Sequence, residues 1–280
     1  ATVIPGVAPP AGWSGKLWSL EQGLRAVKTP YTLLLDADIE LAPGIVSALH
    51  QKARQENLAL VSLMAEPPML NFIERLLMPA FIFFFKLLYT FALANKPTSR
   101  IAAAAGGCIL VETQALRLAG AFSSLQDALI DDCTLAAHVK RAGLRTYLGL
   151  SRAARSHRGY PGLKPIWEMV ARTAFTQLRY SITLLLICTL IMMAMFWAAP
   201  FAFVIAPAQE IFLMCLLVWA AMFFTYLPTL TYYQRSPFWC LGLPVIGTLY
   251  LAMTWTSALR YWRGERASWK DRRYESKTNS

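Results

Sequence analysis

Apolar and polar positions divide the chain into two regions of different texture. Up to residue 180, short apolar runs alternate with stretches of helical spacing. Residues 18–29 repeat their apolar positions with a helical period, and residues 31–35 form the kind of short apolar run that makes a buried strand. The same reading predicts helices over 43–55 and 131–143, and strands over 58–64, 107–111 and 145–150. Strands alternating with helices imply an α/β layer architecture around a mostly parallel sheet. No internal repeat and no low-complexity tract interrupts it. Beyond Arg179 the pattern changes. Residues 182–206, 211–233 and 238–259 carry no charge, and each run exceeds the roughly 20 residues a helix needs to cross a bilayer. Polar breaks at Gln209-Glu210 and at residues 234–237 separate them, and Tyr180, Tyr232, Tyr233, Trp239, Tyr261 and Trp262 gather near the ends as interfacial anchors do. The expected organisation is an α/β domain over 1–180, three transmembrane helices over 181–260 and a basic tail over 261–280.

A further apolar stretch lies inside the first region. Residues 76–94 carry one charge, Lys86, and Pro79 interrupts their start. A lysine at mid-bilayer costs about 2.5–3.5 kcal/mol on insertion scales, so length and charge alone permit a crossing. One complete crossing would put the acidic motifs at 36–38 and 131–132 on opposite faces of the membrane. If those motifs form one site, the segment over 69–95 lies in the interface or re-enters on the same side.

Composition narrows the class. The chain is 56% hydrophobic and only 15% charged, against about 25% charged in soluble domains. That excludes an ordinary soluble globule and a disordered chain alike. Five cysteines, odd in number and without CxxC spacing, read as reduced thiols and provide no zinc cluster. The net charge of +11 comes from bases clustered at membrane edges, which argues against a nucleic-acid partner.

Three places carry candidate chemistry. Leu33-Leu34-Leu35-Asp36-Ala37-Asp38 puts two carboxylates at the carboxyl end of a strand, where open α/β sheets bind ligands. In extended backbone the two would share a face, and such carboxylates hold a hard divalent ion together with phosphate oxygens. Asp131 and Asp132 open a helix, where acids favour the dipole. The functional reading of the pair is a general base whose proton affinity is raised by its neighbour. Lys16, after the glycine-containing turn Gly12-Trp13-Ser14-Gly15, reads in isolation as a solvated lysine. His138 and His157 have no partner at ligand spacing and read as structural or surface residues.

Taken in order, the stretches GWSGKLWSLEQG, LLLDADIE, AAAAGGCILVE, LIDDCTLAAHVKRAG and MVARTAFTQLRYS resemble the membrane-bound glycosyltransferases of family 2. The branch they resemble is the hopanoid-biosynthesis-associated glycosyltransferases, similar to ceramide glucosyltransferases. The resemblance implies a GT-A fold and inverting transfer from a nucleotide-diphosphate sugar, typically a UDP-sugar, to a lipid acceptor such as a hopanoid or ceramide, with Mg²⁺ or Mn²⁺. Carried over by position, it implies donor-binding roles for Lys16, Asp36, Asp38 and Arg179. Asp38 would also bind the metal, Asp132 would be the catalytic base, and Asp131 replaces the glutamate of the family's acidic pair. The family's Q-x-x-R-W motif falls on residues 176–180, where Thr176 and Tyr180 replace its ends and Arg179 alone transfers. A non-catalytic membrane scaffold derived from the fold, and a polyprenyl-phosphate or polysaccharide transferase, are the alternative readings. Family members open with a strand and an acidic loop, whereas this sequence opens at Ala1 in Val3-Ile4-Pro5-Gly6, so the front of the domain is expected upstream.

Sidedness pulls two ways. Nucleotide sugars are cytosolic, so residues 1–180 are expected on the cytosolic face, at a bacterial inner membrane. Three alternating spans would then export the tail. Yet from Arg260 onward the tail has Arg260, Arg263, Arg266, Lys270, Arg272, Arg273 and Lys277 against Glu265, Asp271 and Glu275, a balance that favours the cytosol.

Overall fold

A computed structural model describes residues 2–126, 128–205, 209–265, 268–269 and 272–273. In chain order the elements are α1 (Gly15–Ala26), β1 (Tyr31–Leu35), β2 (Ile39–Leu41), α2 (Ile45–Gln55), β3 (Leu60–Glu66), α3 (Phe72–Leu88), α4 (Phe91–Ala94), β4 (Cys108–Glu112), α5 (Thr113–Leu118), α6 (Asp131–Arg141), β5 (Thr146–Ser156), α7 (Leu163–Gln177), α8 (Ile182–Ile205), α9 (Gln209–Tyr232) and α10 (Leu243–Trp262). The chain divides into two compact units. One contains residues 1–68 and 86–159, the other residues 69–85 and 160–271.

The first unit is built on a five-stranded sheet of order β1-β4-β3-β5-β2. Alternate residues of its central strands feed two separate cores. Leu34, Leu60, Ile109 and Val111 pack with Leu17 and Leu24 of α1 and with Leu135 and Val139 of α6. Val61, Leu63, Cys108 and Leu110 pack on the opposite face with Leu49 and Ala53 of α2. Helices on both faces explain why these strands read as continuous apolar runs rather than as alternating ones.

The expectation of a mostly parallel sheet is corrected. Only β3 and β5 pair in parallel, while β1–β4, β3–β4 and β2–β5 are antiparallel. Parallel neighbours need a crossover that returns the chain to the end where it began. The excursion over 67–107 makes no such return. It leaves β3 after Glu66 and delivers Cys108 opposite Leu63, at the same end of the sheet. Leu35, the last residue of β1, also pairs with Cys108, so β1 and β3 both finish there. Both connections into the other unit, after Pro68 and after Gly159, leave from that end.

The second unit is helical. Three of its helical stretches are long and apolar enough to cross a membrane: Ile182–Ala202, Phe212–Tyr232 and Pro237–Trp262. The run expected as one span over 238–259 is divided, because a 3₁₀ turn over Pro237–Gly242 precedes α10 and Pro244 stands in the first turn of that helix. Proline there sacrifices only an N–H that has no partner inside a helix. α3 carries Pro79 within it, and its capping is reciprocal. The Asn71 side chain accepts from the Glu74 N–H at 2.9 Å, and the Glu74 carboxylate accepts from the Asn71 N–H at 3.2 Å. Glu74 is almost fully buried and also accepts from the N–H of Leu70 and of Tyr160, so one carboxylate ties the start of α3 to the segment leading into α7.

Candidate active site

The carboxyl end of β1, the segment entering β4 and the starts of α1 and α6 bring Lys16, Asp36, Asp131 and Asp132 around one cavity of about 200 Å³. Its floor is apolar, with Leu20, Leu34, Phe122 and Leu125, and its rim is charged. Lys16 is the second residue of α1, whose start is fixed by the Ser14 hydroxyl accepting from the Leu17 N–H. From there its ammonium stands 3.3 Å from an Asp36 oxygen and 3.3 Å from an Asp131 oxygen. Burial would lower the proton affinity of Lys16, but Asp131, Asp36 and Asp132 outweigh it and hold the group above its ordinary value. Lys16 is therefore paired with two carboxylates while 43% of its side-chain surface stays exposed to solvent.

Asp132 occupies a different environment from Asp131. One carboxylate oxygen accepts the Gly106 N–H at 2.7 Å, and the other accepts the N–H of Cys133 at 2.7 Å. Burial, and then the adjacent Asp131 charge, push its pKa up to about 6 against the smaller pulls of Cys133, Lys16 and Gly106. The raised value expected from the acidic pair is present, but desolvation rather than like-charge repulsion is its main cause. Cys133, the next residue, is a neutral thiol, since burial and the Asp132 charge drive its pKa far upward.

Two residues absent from the sequence reading hold this geometry. A Cβ at Gly106 would come within 3.3 Å of an Asp132 oxygen and 3.5 Å of the Lys16 ammonium, so a side chain there would press on the Asp132 carboxylate. Ser62, fully buried in β3, donates to the Ala105 carbonyl at 3.1 Å and accepts from the Ala105 N–H at 2.8 Å. It thereby fixes the peptide next to the one that binds Asp132. Gly106-Gly107 before a strand was a visible signal for this approach; nothing marks Ser62 in sequence. Ser62→Ala leaves both Ala105 groups unpaired, at a cost of about 1–3 kcal/mol for each one that stays buried. We expect Ser62→Ala to lower kcat/KM about tenfold and to displace the acidic limb of its pH profile, with Ser62→Thr closer to wild type. An unchanged acidic limb would separate Ser62 from the site.

The DxD pair does not share a face. β1 ends at Leu35, and Asp36–Asp38 form a turn closed by the Ile39 N–H bonding to the Asp36 carbonyl, so the alternation of extended backbone does not apply. Asp36 turns to Lys16, while Asp38 accepts the Ser156 hydroxyl at 2.9 Å. Beside Asp38 the His157 ring meets Glu40 at 2.6 Å, and the His157 N–H bonds to the Asp38 carbonyl. The sequence separation of 117 residues between His157 and Glu40 hid this pair from any reading by spacing.

Among the described residues no three His, Cys, Asp or Glu side chains gather as a cation cage. A magnesium-like ion takes one or two carboxylates and completes its shell with phosphate oxygens and water, so a single carboxylate such as Asp38 is compatible with one. Arg179 belongs to the helical unit, where it follows α7 with φ 53°, and Tyr180 after it has φ 55°. Such left-handed backbone is uncommon outside glycine and here turns the chain sharply between α7 and α8. The altered Q-x-x-R-W segment is closed internally, the Thr176 hydroxyl donating to the Tyr180 hydroxyl at 3.0 Å.

One chain thus joins an α/β sheet that has a charged cavity at strand ends to apolar helices long enough to cross a membrane. The model for glycosyl transferase family 21 matches residues 4–280, and the chain belongs to that family. No curated protein matches the chain.

Proposed function

We propose that the protein is an inverting, lipid-directed glycosyltransferase that uses a nucleotide-diphosphate sugar, with Asp132 as the general base. The observation that carries this reading is the contrast between Asp132 and Asp131. The first is partly buried, held by two N–H groups and raised to about 6; the second is held by Lys16. A base poised just below neutral pH is ionised at work yet still a competent proton acceptor. Membership of a ceramide-glucosyltransferase-like family supports a sugar donor and a lipid acceptor.

In this scheme the acceptor hydroxyl gives its proton to the free lone pairs of Asp132. Its oxygen bonds to the anomeric carbon as the bond from that carbon to the diphosphate oxygen breaks, on the opposite face. Lys16 lies where negative charge grows on the leaving diphosphate and stabilises it without reorganising. Asp36 holds Lys16 in place from one side and Asp131 from the other. Mg²⁺ or Mn²⁺ held by Asp38 would neutralise diphosphate charge.

The test uses membranes containing the full-length protein, a panel of labelled nucleotide sugars headed by UDP-sugars, and Mg²⁺ or Mn²⁺ against chelator. Label passing into organic-extractable lipid in a metal-dependent way is the expected result. Label in polymer would favour polysaccharide synthesis, and none from any donor would favour a non-catalytic scaffold.

A further inference from the structure

The directions of the three apolar helices bear on where the carboxyl terminus emerges. Helix α10 runs antiparallel to α8 in a constant register. Leu185 packs with Ala258, Trp255 donates to the Thr189 hydroxyl at 3.0 Å, and Trp197 donates to the Thr248 hydroxyl at 2.8 Å. Gly247 admits the Phe196 ring at a position where any Cβ would overlap it. Each step up α8 is matched by a step down α10. Helix α9 also opposes α8, with the Cys215 thiol bonded to the Ala199 carbonyl at 3.3 Å. Two helices that both oppose α8 run in the same direction as each other.

Three successive crossings cannot do this, because each would reverse the last. The reversal is accomplished instead by the segment between α9 and α10. Its Cys240 thiol lies 3.9 Å from the Phe223 carbonyl, more than two turns back from the end of α9 at Tyr232. The segment thus climbs back alongside α9 before α10 descends. Its backbone is folded into the 3₁₀ turn Pro237–Gly242, which satisfies groups that could not stay bare in hydrocarbon. Phe238 and Leu241, mostly exposed, face outward from it as lipid-facing residues do.

The end of α10 accordingly lies beside the start of α8. Tyr261 stacks on Tyr180 at 4.5 Å, and Phe175 contacts both Tyr261 and Trp262 at 5.6 Å. Arg260 makes a bidentate pair with Glu168 of α7 at 2.6 and 2.8 Å. Tyr180, Tyr261 and Trp262 keep 43%, 51% and 47% of their surface exposed and form an aromatic rim of the kind found at a bilayer interface. Arg179 and Arg263, both exposed, stand in the same rim.

We propose that α8 and α9 make one full passage out and back, and that residues 233–262 re-enter the bilayer and return. The chain then emerges after α10 on the side from which α8 starts, with the exposed Arg179 and Arg263 at that face of the bilayer. The proposal reconciles the tail's charge with three apolar runs that, as alternating spans, would export it. It does not rest on the glycosyltransferase reading.

A readout independent of transfer activity tests it on the full-length protein. Cleavable tags are placed after Ser280 and in the exposed turn at Lys28-Thr29, and protease is added to sealed vesicles of each orientation. Both tags are expected to be cleaved in the same vesicles and protected in the others. Opposite behaviour of the two tags would overturn the proposal by restoring three full crossings.

Discussion

Asp132→Asn should lower the transfer rate by about 10²–10⁴, the range that a positioned general base supplies. The asparagine keeps shape and an oxygen for the Gly106 N–H, so folding and membrane insertion should survive; only the proton acceptor is lost. Wild-type kcat/KM should rise about tenfold per pH unit below pH 6 and flatten above it, following ionisation of a carboxyl raised to about 6. That limb should vanish in the variant. Stability carries the opposite sign. The folded carboxyl holds its proton more tightly than an ordinary aspartate at 3.8, so wild type loses stability as pH rises from about 4 through 6. Asp132→Asn escapes that loss and should melt higher than wild type at pH 7.5 but not at pH 4, measured by thermal unfolding in detergent. Transfer within tenfold of wild type would remove Asp132 from the base role and direct attention to Asp131.

Lys16→Met should be nearly as damaging. Removing one preorganised donor from a developing anion typically costs about 10²–10³ in rate. Here the ammonium also separates carboxylates that otherwise face one another, Asp36 and Asp131 each being 3.3 Å from it. Without it Asp132 loses a neighbour that lowers its pKa. The acidic limb of the surviving activity should therefore move above pH 6 in Lys16→Met, and less so in Lys16→Arg. Initial rates across pH 5–9 for the two variants check this. A Lys16→Met enzyme within threefold of wild type, with its limb unmoved, would make the lysine a structural cross-link only.

The order of elements was legible wherever a local pattern decides it. The strand at Tyr31–Leu35 and the helix starting at Asp131 stand where the alternation of apolar runs placed them. Strand direction was not legible. It depends on which end of the sheet the long excursion through α3 and α4 returns to, and no local pattern encodes that. The site divides in the same way. Acids at a strand end and at a helix start are visible as motifs, and the structure gathers Asp36, Asp131 and Asp132 with Lys16 around one cavity. What positions them comes from contacts remote in sequence: Ser62 to Ala105, Gly106 to Asp132, His157 to Glu40. The divergence of Asp36 and Asp38 was hidden because a strand ending one residue earlier turns a shared face into a bend. Among the membrane helices, apolar length revealed candidates for crossing but not direction, which is set by packing such as Trp255 on Thr189 and Trp197 on Thr248.

The central claim is that this constellation moves one glycosyl unit onto a membrane lipid. Mass spectrometry of total lipids from cells producing the full-length protein tests it most directly, with cells producing Asp132→Asn at equal membrane level as the comparison. The account predicts a lipid heavier by one glycosyl residue in the first cells and its absence from the second. Identical lipid profiles in the two, or a glycolipid formed equally well by Asp132→Asn, would contradict it.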